Sequence, residues 1–266
     1  MEIQKPRYRF SPSLLNSFQE LIDSDSLYEQ FYGNSEDPEI TPEEYYAQKE
    51  KELLDACNRV PFTSEACSRG VALNEIVDCI IEKRKQKEGM TVERIYDENG
   101  SVIALHSELD GFSFDFDISL VNELAKRFSG AVCQYRCEAT IDTEYGPVIL
   151  YGDLDYLIRD IVYDLKTTTN YSAYGKFSSG LQKDLYPYCL IESKDMASVS
   201  GFEYTIVTIK KPTKERRFIE GELHTEWFAY NHRTSTNTLK SICESFIEWI
   251  EQHRDLITHK RIFNQI

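Results

Sequence analysis

The stretch 151–166 reads Y-G-D-L-D-Y-L-I-R-D-I-V-Y-D-L-K, and a hairpin would bring its acidic residues together. Leu154, Tyr156 and Ile158, then Ile161, Tyr163 and Leu165, alternate with mostly polar residues at the period of a half-buried strand. With Arg159-Asp160 as the turn, Asp155 faces Asp164 and Asp153 faces Lys166. Directly opposed residues have Cβ atoms about 4.5–5.5 Å apart, where like charges repel. A divalent cation between the carboxylates removes that penalty, and Mg²⁺ is typically held by one or two carboxylates plus a substrate phosphate. Lys166 leaves the same face as Asp164, two residues on. Two carboxylates and a lysine on one patch suit metal-dependent hydrolysis of a phosphodiester. The plainer reading is a solvated hairpin face whose charges alternate. Arg-Asp is not the Asn-Gly type of turn that two-residue hairpins favour, although a four-residue loop would keep the same register.

Several elements must position this patch. A strand over 131–141 leads into it, with Gln134, Arg136 and Glu138 on one face. Ser179-x-x-Gln182 has the form of a capping box opening a helix to 192, on which Gln182 and Tyr186 are i,i+4 neighbours. Upstream, an irregular lead-in over 1–10 precedes a helix over 11–22 with Pro12 at its first position. A polar loop over 33–40 precedes a helix from the Thr41 capping box to 57, and another helix is expected over 64–87. A hairpin over 92–96 and 102–106, a short strand over 112–116 and a helix from Asp117 to 128 follow. Strands are expected over 202–210 and 218–230, and an amphipathic helix over 236–253. The segment between those strands holds Lys210, Lys211, Lys214, Arg216 and Arg217, a dense basic cluster suited to phosphate contacts or simply to solvent.

Gly152-x-x-Asp155, Asp164-x-Lys166 and Gln182-x-x-x-Tyr186, in that order in a strand–strand–helix setting, resemble the PD-(D/E)XK nuclease superfamily in its RecB-type and phage exonuclease branch. The motifs span about 130–190, and Ser11, Ser13, Leu15 and Phe18 echo an S-x-S-x-L-x-x-F stretch of that branch. The resemblance implies an α/β, restriction-endonuclease-like fold, a mixed β-sheet flanked by helices. It implies a helical N-terminal part about 11–88 and a catalytic core about 130–232. It implies Mg²⁺ or Mn²⁺ held by Asp155, Asp164 and the backbone carbonyl of Leu165. Lys166 would orient a water and stabilise charge on the phosphate, with Gln182 and Tyr186 positioning the strand. The family places a metal-binding histidine where this chain has Asn74, so Glu75 and Asp78 become candidates to replace it. Glu138 matches a glutamate of the preceding strand, with an ion pair to Arg136 or Lys166 as its plainer role. Thr167 and Thr168 match the family's K-T-T run, and with Tyr171, Lys176, Lys210, Lys211 and Arg216 they are candidate DNA contacts. DNA is the implied partner, together with a recombination or replication protein.

Composition sets bounds on this reading. The chain has 266 residues, enough for one sizeable core, and one domain is expected. A net charge of −15 argues against a broad nucleic-acid-binding surface but leaves room for a local one. The seven cysteines form no C-x-x-C pair, so disulfides and zinc ribbons are not expected. Only Cys243 lies near the end of the chain, where some RecB-type nucleases carry an iron–sulfur cluster, so no cluster is expected either. With no signal-like or membrane-length apolar run, a cytoplasmic protein is expected. The expected activity is exonuclease action in phage or bacterial DNA processing. A nuclease-like binding or assembly protein that does not cut, and an acidic mimic of DNA, stand as alternatives.

Overall fold

The computed structural model describes residues 5–35, 38–171 and 177–265. Tyr8–Phe10 forms a short strand, β1, which alternation over three residues could not announce. Ser11 caps α1 (Pro12–Ile22) by accepting the Leu14 N–H, and Leu15, Phe18 and Leu21 turn inward. A second helix, α2 (Ser24–Tyr32), follows at once and was not expected from the sequence. The capping box at Thr41 and Glu44 starts α3 (Pro42–Cys57). Ser64 caps α4 (Glu65–Glu82), which stops earlier than its pattern suggests because Lys83 takes a left-handed conformation.

Three strands, β2 (Thr91–Tyr96), β3 (Val102–Leu109) and β4 (Phe112–Asp117), make a small antiparallel sheet. Asp117 then caps α5 (Ile118–Arg127). The main sheet comes from β5 (Val132–Thr143), β6 (Gly146–Ile158), β7 (Ile161–Thr168), β8 (Gly201–Lys210) and β9 (Glu220–Ala229), joined by β1. It is mixed: β7 and β8 run parallel, β1 runs parallel to β6, and the remaining pairs are antiparallel. Helix α6 (Gln182–Glu192) crosses from β7 to β8, and α7 (His232–Gln252) closes the fold, capped by Asn231 and starting four residues before its expected start.

One feature of the pairing positions everything else. β5 pairs with β6 along nearly its whole length, from Gly146 to Leu157. A strand has two edges, so β1 and β7 must share the other edge of β6. There β1 takes Val148–Leu150 and β7 takes Tyr156–Ile158, which leaves residues 151–155 without a ladder partner on that edge. Helices cover both faces. Phe10, Leu15, Leu150, Leu154, Leu185 and Phe246 pack on one side, between α1, α6, α7 and the sheet. Leu73, Ile76, Phe116, Leu124, Tyr156 and Leu165 pack on the other, under α4, α5 and the small sheet. The protein is therefore mixed α/β, a mixed sheet flanked by helices. Among the described residues no helix is long and apolar enough to cross a membrane. All seven cysteines are free, and Cys57, Cys133, Cys137, Cys189 and Cys243 are buried.

Candidate active site

The β6–β7 hairpin has the two-residue turn, with Tyr156 opposite Tyr163, Leu157 opposite Val162 and Ile158 opposite Ile161. Arg159 makes the turn by taking φ 56°, the left-handed conformation that Asn or Gly adopts more readily. The ladder ends at Tyr156–Tyr163. One residue further on the strands part, and the Asp155 carboxylate replaces the missing rung: its Oδ2 accepts the Leu165 N–H at 2.8 Å. A strand residue sends its N–H and C=O to the same edge, so the Leu165 carbonyl opens into the same gap. The parting also corrects one expectation. Asp153 does not face Lys166 but pairs with Arg136 of β5, at 3.0 Å.

Asp164 is 2 % exposed. Its Oδ1 accepts the Gln182 side-chain N–H at 2.7 Å. Its Oδ2 lies 2.7 Å from the Lys166 ammonium, yet the two are not aligned for a hydrogen bond, and that buried oxygen has no hydrogen-bond donor. Burial, and then the charge of Asp164, push the pKa of Asp155 up to about 7, against the opposing pull of Lys166, the Leu165 N–H and Asn74. Over the two carboxylates opens a cavity of about 500 Å³, walled by Gly70 and Asn74 of α4, Thr167, Gln182 and Tyr186.

Asp155, Asp164, Leu165, Lys166, Thr167, Gln182 and Tyr186 thus meet at one cavity. Two of them act as positioning residues. Gln182 holds Asp164, and the buried Tyr186 donates from its hydroxyl to the Asp153 carbonyl at 3.1 Å rather than touching either carboxylate. Ser179 does not cap α6, whose cap position is Leu181 with no side-chain bond, so Gln182 is left for Asp164. Asn74 stands where the resemblance puts histidine, its Oδ1 accepting the Tyr156 hydroxyl at 2.5 Å.

Other candidates lie elsewhere. One residue on from Asn74, a helix has turned by about 100°. Glu75 accordingly faces Arg84 at 2.6 Å and the Lys87 N–H, not the aspartates. Asp78 is 1 % exposed behind Tyr156, and burial raises its pKa to about 6. Glu138 pairs with Arg9. Among the described residues, no group of three or more His, Cys, Asp or Glu is arranged so that it could hold a metal ion. The Thr168 hydroxyl binds the Asn170 backbone, and Tyr171 stacks on His224 and donates to Glu226. Lys210 pairs with Glu222, and Arg216 with Glu220. Lys211 pairs with Glu65 and lines a cavity with Thr167 and Thr168 at the end of β7. Lys176 lies outside the described residues.

Two glycines let the helices approach this closely. A Cβ on Gly70 would stand 2.9 Å from the Thr167 hydroxyl, and one on Gly152 would stand 2.6 Å from Cε1 of Tyr186. Gly152→Ala should therefore destabilise the fold by about 1–3 kcal/mol through overpacking. Thermal denaturation tests this, and an unchanged Tm would show that the close approach is not why glycine stands there.

No family model matches the chain, and no curated protein matches it. Among solved structures, the crystal structure of SSO0001 aligns with a TM-score of 0.36 and 11% identity, over 91% of this chain and 78% of that one.

Proposed function

We propose that the protein hydrolyses phosphodiester bonds in DNA with Mg²⁺ or Mn²⁺, on a restriction-endonuclease-like fold. The observation that carries this reading is the parted hairpin, which sets Asp155, Asp164 and Lys166 together at one open cavity. The donor set fits a divalent cation. Asp164 Oδ2 is a buried carboxylate oxygen that faces the Lys166 ammonium at 2.7 Å and has no aligned hydrogen-bond donor among the described residues, and Asp155 is an acid whose charge burial disfavours. Two carboxylates and a carbonyl are the hard oxygen donors that Mg²⁺ accepts, with substrate oxygens and water completing the set. A cation held there would supply charge that polarises the scissile phosphate and makes water a stronger nucleophile. Lys166 would place its ammonium against the negative charge that grows on the phosphate in the transition state. Gln182 would keep Asp164 in its rotamer. Exonuclease action in phage or bacterial DNA processing follows the family resemblance and rests on that alone.

A non-cutting binding protein is favoured by Asn74 at the histidine position and by the lack, among the described residues, of a third carboxylate lining the cavity beside the pair. Incubation with linear and closed-circular DNA, in Mg²⁺, Mn²⁺ or EDTA, separates the two. Metal-dependent loss of linear DNA alone is the expected result. Cutting of the circle would replace exonuclease with endonuclease action, and no cutting with either metal would favour the binding protein.

A further inference from the structure

A separate cavity, of about 240 Å³, is lined by Arg9, Arg59, Arg261 and His259 with Ser11 and Ser13, and no carboxylate among the described residues lines it. In a protein of net charge −15, such a concentration of positive charge calls for a cause. Tyr151 forms its floor. The guanidinium carbons of Arg9, Arg136 and Arg261 lie 4.5, 4.5 and 5.0 Å from the centre of that ring, and Arg59 donates to its hydroxyl at 3.1 Å. Glu138 answers Arg9 and Asp153 answers Arg136, but among the described residues Arg59 and Arg261 have no acidic partner. The Nε atoms of Arg9 and Arg261 are buried and have no hydrogen-bond acceptor among the described residues. Two carboxylates for four guanidinium groups leave a net positive charge and unmet donors, which a further anion would offset.

We propose that this pocket binds a phosphate group of the nucleic-acid strand whose scissile phosphate lies at Asp155 and Asp164. The strand rests on the nuclease reading; the anion site does not. Tyr151 and Asp155 are four residues apart on β6, which is about 13 Å at the usual rise. That distance spans about four nucleotides of duplex rise, and fewer of a stretched single strand. Guanidinium groups present paired N–H donors that match phosphate oxygens. The phosphate is either an internal diester or a terminal monoester; the pocket chemistry suits both.

The test has two arms, both in EDTA so that nothing is cut. In the first, inorganic phosphate is titrated against the wild type and the double variant Arg59→Gln/Arg261→Gln, with chloride at matched ionic strength. Phosphate should raise the wild-type Tm and leave the variant unmoved. An equal rise in both overturns the pocket. Arg59 is exposed, so Arg59→Gln alone serves if the double variant does not fold. In the second arm, fluorescent single-stranded 12-mers carry a 5′-phosphate or a 5′-hydroxyl, and their Kd is measured. The variant should bind at least tenfold more weakly. A 5′-phosphate preference seen in the wild type and lost in the variant assigns the terminal group, and equal weakening of both oligonucleotides assigns an internal phosphate. Unchanged oligonucleotide affinity in the variant overturns the assignment to the strand. A phosphate shift and an oligonucleotide loss in the variant, from a wild type that never cuts DNA, would support the pocket and count against the nuclease reading.

Discussion

Lys166→Ala should abolish DNA cleavage, by about 10²–10³-fold or more, while divalent cations still bind. A preorganised donor aimed at developing charge contributes on that scale. The same substitution should leave cation affinity equal or higher. The Lys166 ammonium lies 2.7 Å from Asp164 Oδ2, the oxygen offered to the metal, so the lysine competes with the cation for it. Asp164→Ala should behave differently. It removes a ligand and the acceptor of the Gln182 amide, so cleavage and cation binding fall together. Single-turnover cleavage and calorimetric titration with Mn²⁺ resolve the two patterns. A Lys166→Ala protein that cuts within a few-fold of wild type would end the proposed role.

The hairpin register was legible because a half-buried strand must alternate and one polar dipeptide interrupts the alternation. Helix starts were legible where a cap is written locally, as at Ser11, Thr41, Ser64 and Asp117. What escaped depends on residues far apart in the chain. β1 exists because it pairs with β6 about 140 residues away, and nothing within three residues records that. Asp153 was misplaced because local pattern cannot show where two paired strands part. Glu75 was a candidate on adjacency alone, and a one-residue rotation around α4 sends it to Arg84. The arginine pocket gathers positions 9, 59 and 261 around Tyr151, so it has no sequence signal at all. The basic cluster that the sequence did display is largely neutralised, with Lys210, Lys211 and Arg216 each facing a glutamate. An acidic net charge is thus compatible with a local concentration of positive charge, because Arg9, Arg59 and Arg261 gather around one tyrosine ring.

Asp155→Asn should make the cation-free protein more stable at pH 8 and abolish its stabilisation by metal. The pKa of Asp155 is raised to about 7, chiefly by burial and then by Asp164. The folded state therefore keeps a proton that the unfolded chain, with an ordinary carboxyl near 3.8, has already released. Wherever the folded state binds more protons, stability falls as pH rises. Wild-type stability should decline between about pH 4 and 7 and level off above. Asp78, raised to about 6, adds a decline of the same sign, but it is present in both proteins, so their difference isolates Asp155. The asparagine variant cannot ionise there, and its carbonyl can still accept the Leu165 N–H. A divalent cation reverses the order. It meets the buried charge of the wild type, and at a hundred times its Kd contributes about 2.7 kcal/mol, a Tm rise of roughly 5 °C or more in a chain of this size. Because the cation needs the ionised acid, its affinity should weaken as pH falls below about 7. Thermal melts of both proteins from pH 5 to 8, with EDTA or Mn²⁺, measure each part. If Asp155→Asn gains as much from Mn²⁺ as the wild type does, Asp155 is not a ligand. If the two proteins share one pH dependence in EDTA, the raised pKa is not real.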